Sequence, residues 1–165
     1  MNLLRLLKHL TVPDWLARRG FTVADLAAVT AAISNSERRH RGELRFVIEG
    51  ALPVGALLQG ISARERAIDL FSALRVWDTA DNSGVLIYVQ LIDHRVEILA
   101  DRGINARVAQ SEWDAICREM EIAFRAGQWG SGAVKAITRA GDLLAQHFPA
   151  GGHNPNELPD APLVI

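Results

Sequence analysis

Four oxygen-bearing side chains are the residues of this sequence best suited to chemistry. They are Asp78, Asp81, Asn82 and Asp101. Carboxylate and amide oxygens are the ligands that Ca²⁺ and Mg²⁺ prefer in proteins. Carboxylates that lie close together repel one another, and a bound cation relieves that repulsion. The residues therefore predict a calcium or magnesium site. The alternative is structural, because Asp and Asn before a glycine commonly form turns.

Two apolar segments would bring these side chains together. Residues 84–92 are almost continuously apolar and residues 95–100 are rich in apolar and β-branched side chains, so both predict β-strands. A two-residue turn joins them as an antiparallel hairpin, in which Asp101 lies opposite Leu86. The loop at residues 77–83 then meets Asp101 at one edge of the sheet.

The remaining periodicity predicts one more strand and several helices. The strand covers residues 44–49 and has one buried face, and residues 53–60 form a loop. The helices are predicted at residues 13–19 and 23–38 and after the N-cap residues Ser62, Ser111 and Ser131. A right-handed crossover makes the first two strands parallel. The fold class is thus α/β, a single domain with a small mixed β-sheet and flanking helices in the order α-β-α-β-β-α-α.

Other catalytic signatures are absent from the sequence. It has no HExxH, nucleophile-elbow or Walker A motif, and its five histidines lack metal-ligand spacing. The glycine-rich segment 127–132 follows a predicted helix, so we expect it to connect two helices rather than bind phosphate. Cys117 lies on an apolar helix face, where we expect a buried, protonated thiol. We assign no catalytic residue from these patterns.

Composition limits the class of protein. A chain of 165 residues with 49% hydrophobic and 22% charged residues predicts one globular domain. The net charge of −1 argues against a nucleic-acid-binding protein, and the single cysteine excludes an internal disulfide. The sequence shows neither a secretory leader nor an apolar stretch of transmembrane length. We therefore expect a cytoplasmic protein.

The two ends of the chain are candidate interaction segments around a domain at residues 23–148. Residues 1–42 carry a net charge of +4, and the arm at residues 1–22 is leucine-rich. Its leucines near the start are Leu3, Leu4, Leu6, Leu7 and Leu10. The arm could lie on an anionic membrane surface or on a protein partner, but we favour packing of the leucines on the domain itself. The extended tail at residues 149–165 could add a strand or a proline-rich ligand to a partner, or be disordered.

Several motifs, taken together, resemble the TPM-domain family over about residues 23–148. They are residues 81–89 (DNSGVLIYV), 93–98 (DHRVEI), 101–104 (DRGI) and 124–132 (FRAGQWGSG). The resemblance implies an α/β sandwich with helices around a central sheet. It also implies divalent-metal binding at the acidic edge, to which Asp81, Asn82 and Gly84 carry over best, with Asp78 as a further acid of the same loop.

The family resemblance leaves two functions open. Some plant chloroplast members are acid phosphatases, which implies a metal-dependent, phosphatase-like hydrolase in which Arg102 is the only cation near the loop. Other members are membrane-associated or act as accessory subunits, which implies a non-catalytic interaction module with membrane-associated partners. Asp101 stands where the family typically has a glycine and Asn105 where it has an acid, so one possible metal ligand is removed and another is supplied. Because the usual signal peptide and C-terminal membrane helix are not seen in the sequence, the chain resembles a short, soluble bacterial branch of the family.

Overall fold

Helices and strands follow one another in the predicted order, with four additions. The computed structural model describes residues 3–12, 18–151 and 155–165. The helices are α1 (Leu3–Thr11), α2 (Val23–Glu37), α3 (Val54–Gln59), α4 (Ala63–Ala73), α5 (Arg102–Asn105), α6 (Gln110–Arg125) and α7 (Trp129–His147). The strands are β1 (Leu44–Glu49), β2 (Val85–Gln90), β3 (Arg95–Ala100) and β4 (Leu163–Val164). The α/β class is confirmed, and α1, α3, α5 and β4 are the additions.

The sheet has the strand order β3-β2-β1-β4. β1 pairs with β2 in parallel and β3 pairs with β2 antiparallel, as the crossover and hairpin patterns predict. All six residues of β2 are buried, which confirms the interior strand. β4 comes from the chain's tail and pairs in parallel with the outer side of β1.

The hairpin register differs from the prediction by two residues. Gln90 pairs with Arg95, and the Asp101 amide donates to the Gly84 carbonyl at 2.8 Å, so Asp101 does not lie opposite Leu86. Four residues, 91–94, connect the two strands, because the Gln90 side chain holds the start of this connection in place. Its oxygen accepts from the Asp93 amide at 2.9 Å, and its nitrogen donates to the Gly50 carbonyl at 2.7 Å.

Both faces of β1 are buried, which corrects the prediction of one buried face. Leu44, Phe46 and Ile48 enter the larger core, formed with α2, α6 and α7. The opposite face is covered by α4 and the tail, and its two charged residues are buried because each has fixed partners. Arg45 donates to the carbonyls of residues 159 and 161 at 2.8 and 2.6 Å, and Glu49 accepts from Arg66.

The segment predicted as a loop at residues 53–60 contains α3. Pro53 precedes its first residue and Gly60, at φ +74°, follows its last. Proline at the start and glycine past the end favour a helix, and this signal outweighed the loop composition. In the next helix, α4, the buried residues are Ala63, Ala67 and Leu70. Ile68 is exposed and Phe71 is only partly buried.

Helix starts were predicted best where a capping box exists. Thr22 and Ser62 form the expected boxes with Asp25 and Glu65. The predicted starts of the two later helices were wrong. α6 begins one residue before Ser111 and α7 two residues before Ser131, and neither helix has a side-chain cap. In α7 the reason is packing. A Cβ added to Gly130 would lie 1.9 Å from the Asp25 carboxylate, so this glycine lets α7 approach α2 closely.

The N-terminal helix packs through its polar side. Leu3, Leu4, Leu7 and Leu10 are exposed, which corrects the expectation that the leucines pack on the domain, and Leu6 is partly buried. Arg5 and His9 make the contacts instead, described below. The helix predicted at residues 13–19 falls on residues 13–17, outside the described part, and on a 3₁₀ turn at Arg18–Gly20. Of the described helices, none has the length and apolarity needed to cross a bilayer.

Candidate functional site

The candidate site lies where β2 begins and β3 ends. The loop before β2 is held by two hydrogen bonds to Thr79, one from the Asn82 amide at 3.1 Å to its carbonyl and one from the Ser83 amide at 3.0 Å to its hydroxyl. Asn82 has φ +51°, a left-handed conformation that asparagine adopts more readily than most residues. Antiparallel pairing then places Asp101 beside this loop.

Asp101 is the buried carboxylate of the site. It is 9% exposed, and its Oδ1 accepts from the Arg102 amide at 2.7 Å, which caps α5. Its Oδ2 is buried and has no hydrogen-bond partner in the described residues. A buried oxygen without a donor is costly, so this atom is suited to accept from a ligand or bind a cation.

The loop lies directly against the first turn of α5. Gly103 donates to the Asn82 carbonyl at 2.9 Å, and a Cβ added to Gly103 would lie 2.6 Å from the carbonyl oxygens of both Asp81 and Asn82. Any side chain at position 103 would force the loop away. Gly103 therefore lets two backbone oxygens of the loop lie against the first turn of α5.

Arginine side chains pair with the other oxygen-bearing side chains of the loop. Asp81 forms an ion pair with Arg41 at 3.0 Å, and Arg102 donates from Nε to Asn82 Oδ1 at 2.9 Å. Asp78 pairs with Arg75 in its own turn. Within residues 3–12, 18–151 and 155–165, no three acidic, histidine or cysteine side chains are grouped to hold a metal ion. The structure thus brings Asp81, Asn82 and Asp101 to one edge, while Asp78 faces a different partner.

Arg41 is the residue that sequence reasoning missed. It was not considered because it stands forty positions before Asp81, beyond any local pattern. The parallel pairing of Leu44 with Val85 contains the signal, since residues just before the two strands must lie side by side. Two guanidinium groups, of Arg41 and Arg102, therefore flank the loop, rather than Arg102 alone.

A second group of acids is buried under the tail. Glu37 accepts from the Leu44 amide at 2.9 Å, and Glu43 accepts from the Leu158 amide at 3.0 Å. Burial raises the pKa of Glu37 to about 8 and that of Glu43 to about 7. Both carboxyls therefore hold protons at a pH where ordinary glutamates are ionised.

The remaining candidate groups have structural surroundings. The His40 ring lies 2.9 Å from both the Ser36 hydroxyl and the Gly42 carbonyl, and burial lowers its pKa to about 4. Cys117 is only partly buried, less than expected, and packs against the larger core. Burial raises the pKa of its thiol to about 12, so it is a poor nucleophile at neutral pH.

Comparison with known proteins places this arrangement in a family. The TPM domain profile matches residues 19–143, which include every residue of the candidate site. The fold is similar to the NMR structure of the BA42 protein from the psychrophilic bacterium Bizionia argentinensis, with a TM-score of 0.77 and 31% sequence identity over 88% of this chain and 95% of that one. Curated protein sequences give no match. The profile and the shared fold together establish that this chain belongs to the TPM-domain family.

Proposed function

We propose that this TPM domain binds a divalent cation, calcium or magnesium, at the edge formed by Asp81, Asn82 and Asp101. The observation that carries the proposal is Asp101 Oδ2, which is buried and lacks a hydrogen-bond donor among the described residues. The donor set consists of oxygens alone, which fits a hard cation better than zinc or copper. Asp78, paired with Arg75, would join only by releasing that partner.

We further propose a phosphatase-like activity at the same edge. A bound divalent cation supplies Lewis-acid polarisation of a phosphoryl oxygen. Arg41 and Arg102 would bind the other oxygens of a phosphate ester, since guanidinium groups pair with phosphate through two parallel hydrogen bonds. Their present acceptors, Asp81 and Asn82, are the residues that orient them toward the edge.

The test of cation binding is the thermal stability of the purified chain with and without Ca²⁺ or Mg²⁺. Binding to the native state alone adds about 2.7 kcal/mol when the cation is about 100-fold above Kd. For a domain of this size, that corresponds to a rise in Tm of about 2–5 °C. The variant Asp101→Asn keeps the hydrogen bond that caps α5 and should lose the rise. Titration calorimetry of the same samples gives the affinity.

The matched control is Asp69→Asn, the same change at an exposed position of α4. It should keep the full response to cation. A Tm that does not change in millimolar Ca²⁺ or Mg²⁺, or an Asp101→Asn variant that still responds, would contradict the proposed cation site. Hydrolysis of a chromogenic phosphate ester at acid pH, with the Arg41→Ala variant for comparison, tests the phosphatase step separately.

A non-catalytic interaction module with membrane-associated partners is the second candidate function. The observation that favours it is the row of exposed leucines on α1. This function needs no reacting group. It also fits the cytoplasmic location predicted from the sequence, where a basic surface meets anionic lipid headgroups.

A further inference from the structure

Helix α1 is attached to the domain by its polar side. Arg5 donates from Nε to Asp93 at 2.9 Å and from its terminal nitrogen to the Ile61 carbonyl at 2.7 Å. The buried His9 ring lies 3.1 Å from the same Asp93 carboxylate and accepts from the Leu52 amide at 3.0 Å. These contacts fix the rotation of the helix about its axis. The opposite side must therefore point outward.

The outward side of α1 is made of leucines. Leu3, Leu4, Leu7 and Leu10 are 61, 79, 49 and 57% exposed. Their spacing of three and four residues places them along one stripe. Helix α3, which contacts α1, adds two more exposed apolar side chains, Val54 and Leu58. Exposed leucines arranged in this way form a continuous apolar surface instead of the scattered single residues of an ordinary protein exterior.

Basic side chains lie beside this surface, on the side of Lys8. Leu4 and Lys8 line one surface depression with Arg64 and Arg95, and Lys8 lines another with Arg19. The acids nearby are already engaged, because Asp93 pairs with Arg5 at 2.8 Å and Glu97 with Arg64 at 3.6 Å. The charges of Lys8, Arg19 and Arg95 have no ion-pair partner among the described residues.

We propose that the outward face of α1 binds the surface of an anionic lipid bilayer, with its leucines in the interfacial region and the cations beside them at the headgroups. Apolar side chains on one face with Lys and Arg beside them are the pattern of helices that lie in a membrane interface. The proposal deepens the second candidate function and does not depend on the cation site.

The shape of the surface favours a bilayer over a protein groove. Protein partners that bind a helix usually enclose its apolar face on several sides. Here the domain occupies the side of α1 that carries Arg5 and His9. What is left is a convex stripe, which a deformable lipid interface can cover without a matching cavity.

The test is co-sedimentation of the untagged full chain with vesicles, in EDTA so that no divalent cation bridges protein and lipid. Phosphatidylcholine vesicles are compared with vesicles containing phosphatidylglycerol. We expect binding to the anionic vesicles that weakens as salt is raised. The variant Leu7→Ser/Leu10→Ser should bind roughly tenfold or more weakly, because two buried leucines are removed from the lipid. Lys8→Glu should weaken binding at low salt.

The matched control is Ile68→Ser/Ile122→Ser, which removes two apolar side chains that are 50 and 62% exposed on α4 and α6. It should bind like the wild type, and both double variants should keep the wild-type Tm. The proposal is overturned if the wild type does not bind anionic vesicles, or if Leu7→Ser/Leu10→Ser binds equally well. A concentration-dependent dimer, lost in that variant and seen by light scattering, would overturn it in favour of a second copy of the chain. Asp101→Asn should keep vesicle binding, which separates this test from that of the cation site.

Discussion

Individual buried acids make the stability of this protein depend on pH in an unusual direction. Glu37 is 8% exposed, and its carboxyl lies near Glu43 and Asp160, whose charges raise its pKa further after burial itself. The native state therefore holds a proton that the unfolded chain releases. For such a group, stability is fully present at low pH and is lost as the pH rises through the folded-state pKa.

We predict that the free energy of unfolding falls between pH 6.5 and 8. Glu37, with its pKa at about 8, contributes about 2 kcal/mol to this fall. The lowered pKa of His40 acts in the opposite direction, but only below its ordinary value of 6.5, so this window isolates the acids. Denaturant unfolding at each pH measures the effect. Glu37→Gln, which keeps an oxygen for the Leu44 amide, should remove most of the slope.

Glu43→Gln is the comparison variant. Its carboxyl has a pKa of about 7, so this substitution should change the profile mainly below pH 7 and leave the fall from pH 7 to 8 in place. If the stability of the wild type rises from pH 6.5 to 8, the two acids are ionised in the folded protein and the interpretation is wrong. Carbon NMR of the glutamate carboxyls would then show ordinary titration midpoints.

At the scale of whole elements, the tail is part of the sheet. The Ile165 amide donates to the Ile48 carbonyl at 2.9 Å, and the Gly50 amide donates to the Ile165 carbonyl at 2.9 Å. Arg45 fixes the approach to this strand through the carbonyls of Pro159 and Ala161. The sequence suggested that the tail could add a strand to a partner. In the structure this strand, β4, pairs with β1 of the same chain. Use of the tail by a partner stays a prediction.

We predict that Arg45→Leu loosens β4 without unfolding the domain. The substitution removes two charge-assisted hydrogen bonds, so the amides of Gly50 and Ile165 should exchange with solvent about tenfold faster or more. The interior pairs of β1 and β2 should keep their protection, because the larger core lies against their other face. Hydrogen exchange read by NMR resolves these amides.

The same substitution on the other edge strand serves as the control for the tail. Arg95→Leu changes an exposed arginine of β3 and should leave the exchange of Gly50 and Ile165 unchanged. Unchanged exchange at both amides in Arg45→Leu would show that β4 is held by strand pairing and apolar packing alone.

Across the whole molecule, the two candidate surfaces lie at opposite ends of the central strands. Asp101 lies beside Gly84 at the start of β2, whereas Asp93, which anchors α1, follows the end of β2 at Gln90. A six-residue strand is roughly 20 Å long. Charges exposed to solvent and separated by this distance are screened at physiological salt.

We predict that the two surfaces act independently. The variant that combines Asp101→Asn with Leu7→Ser/Leu10→Ser should lose the cation-induced rise in Tm and the vesicle binding to the same extent as the two parent variants. Thermal unfolding and co-sedimentation on one set of samples measure both properties. Vesicle affinity that changes tenfold when Asp101→Asn is introduced would instead reveal coupling through the sheet.

The sequence by itself determined the elements whose signals are local. Thr22 and Ser62 begin helices because their side chains bond backbone groups three residues away, and the apolar run of β2 predicts a strand buried on both faces. The parallel pairing of β1 with β2 follows from the strand–helix–strand pattern, whose crossover is right-handed in nearly all proteins. The family resemblance rested on such local segments, and the profile match confirmed it.

Tertiary structure decided everything that depends on contacts distant in sequence. The sequence could not show that Gln90 would bond Gly50 and lengthen the hairpin turn, or that Arg41 would reach Asp81. Nor could it orient α1, because its pattern is equally amphipathic whichever face meets the domain. Asp93 decided the orientation, since its partly buried carboxylate pairs with Arg5 and His9 and so leaves the leucines outside.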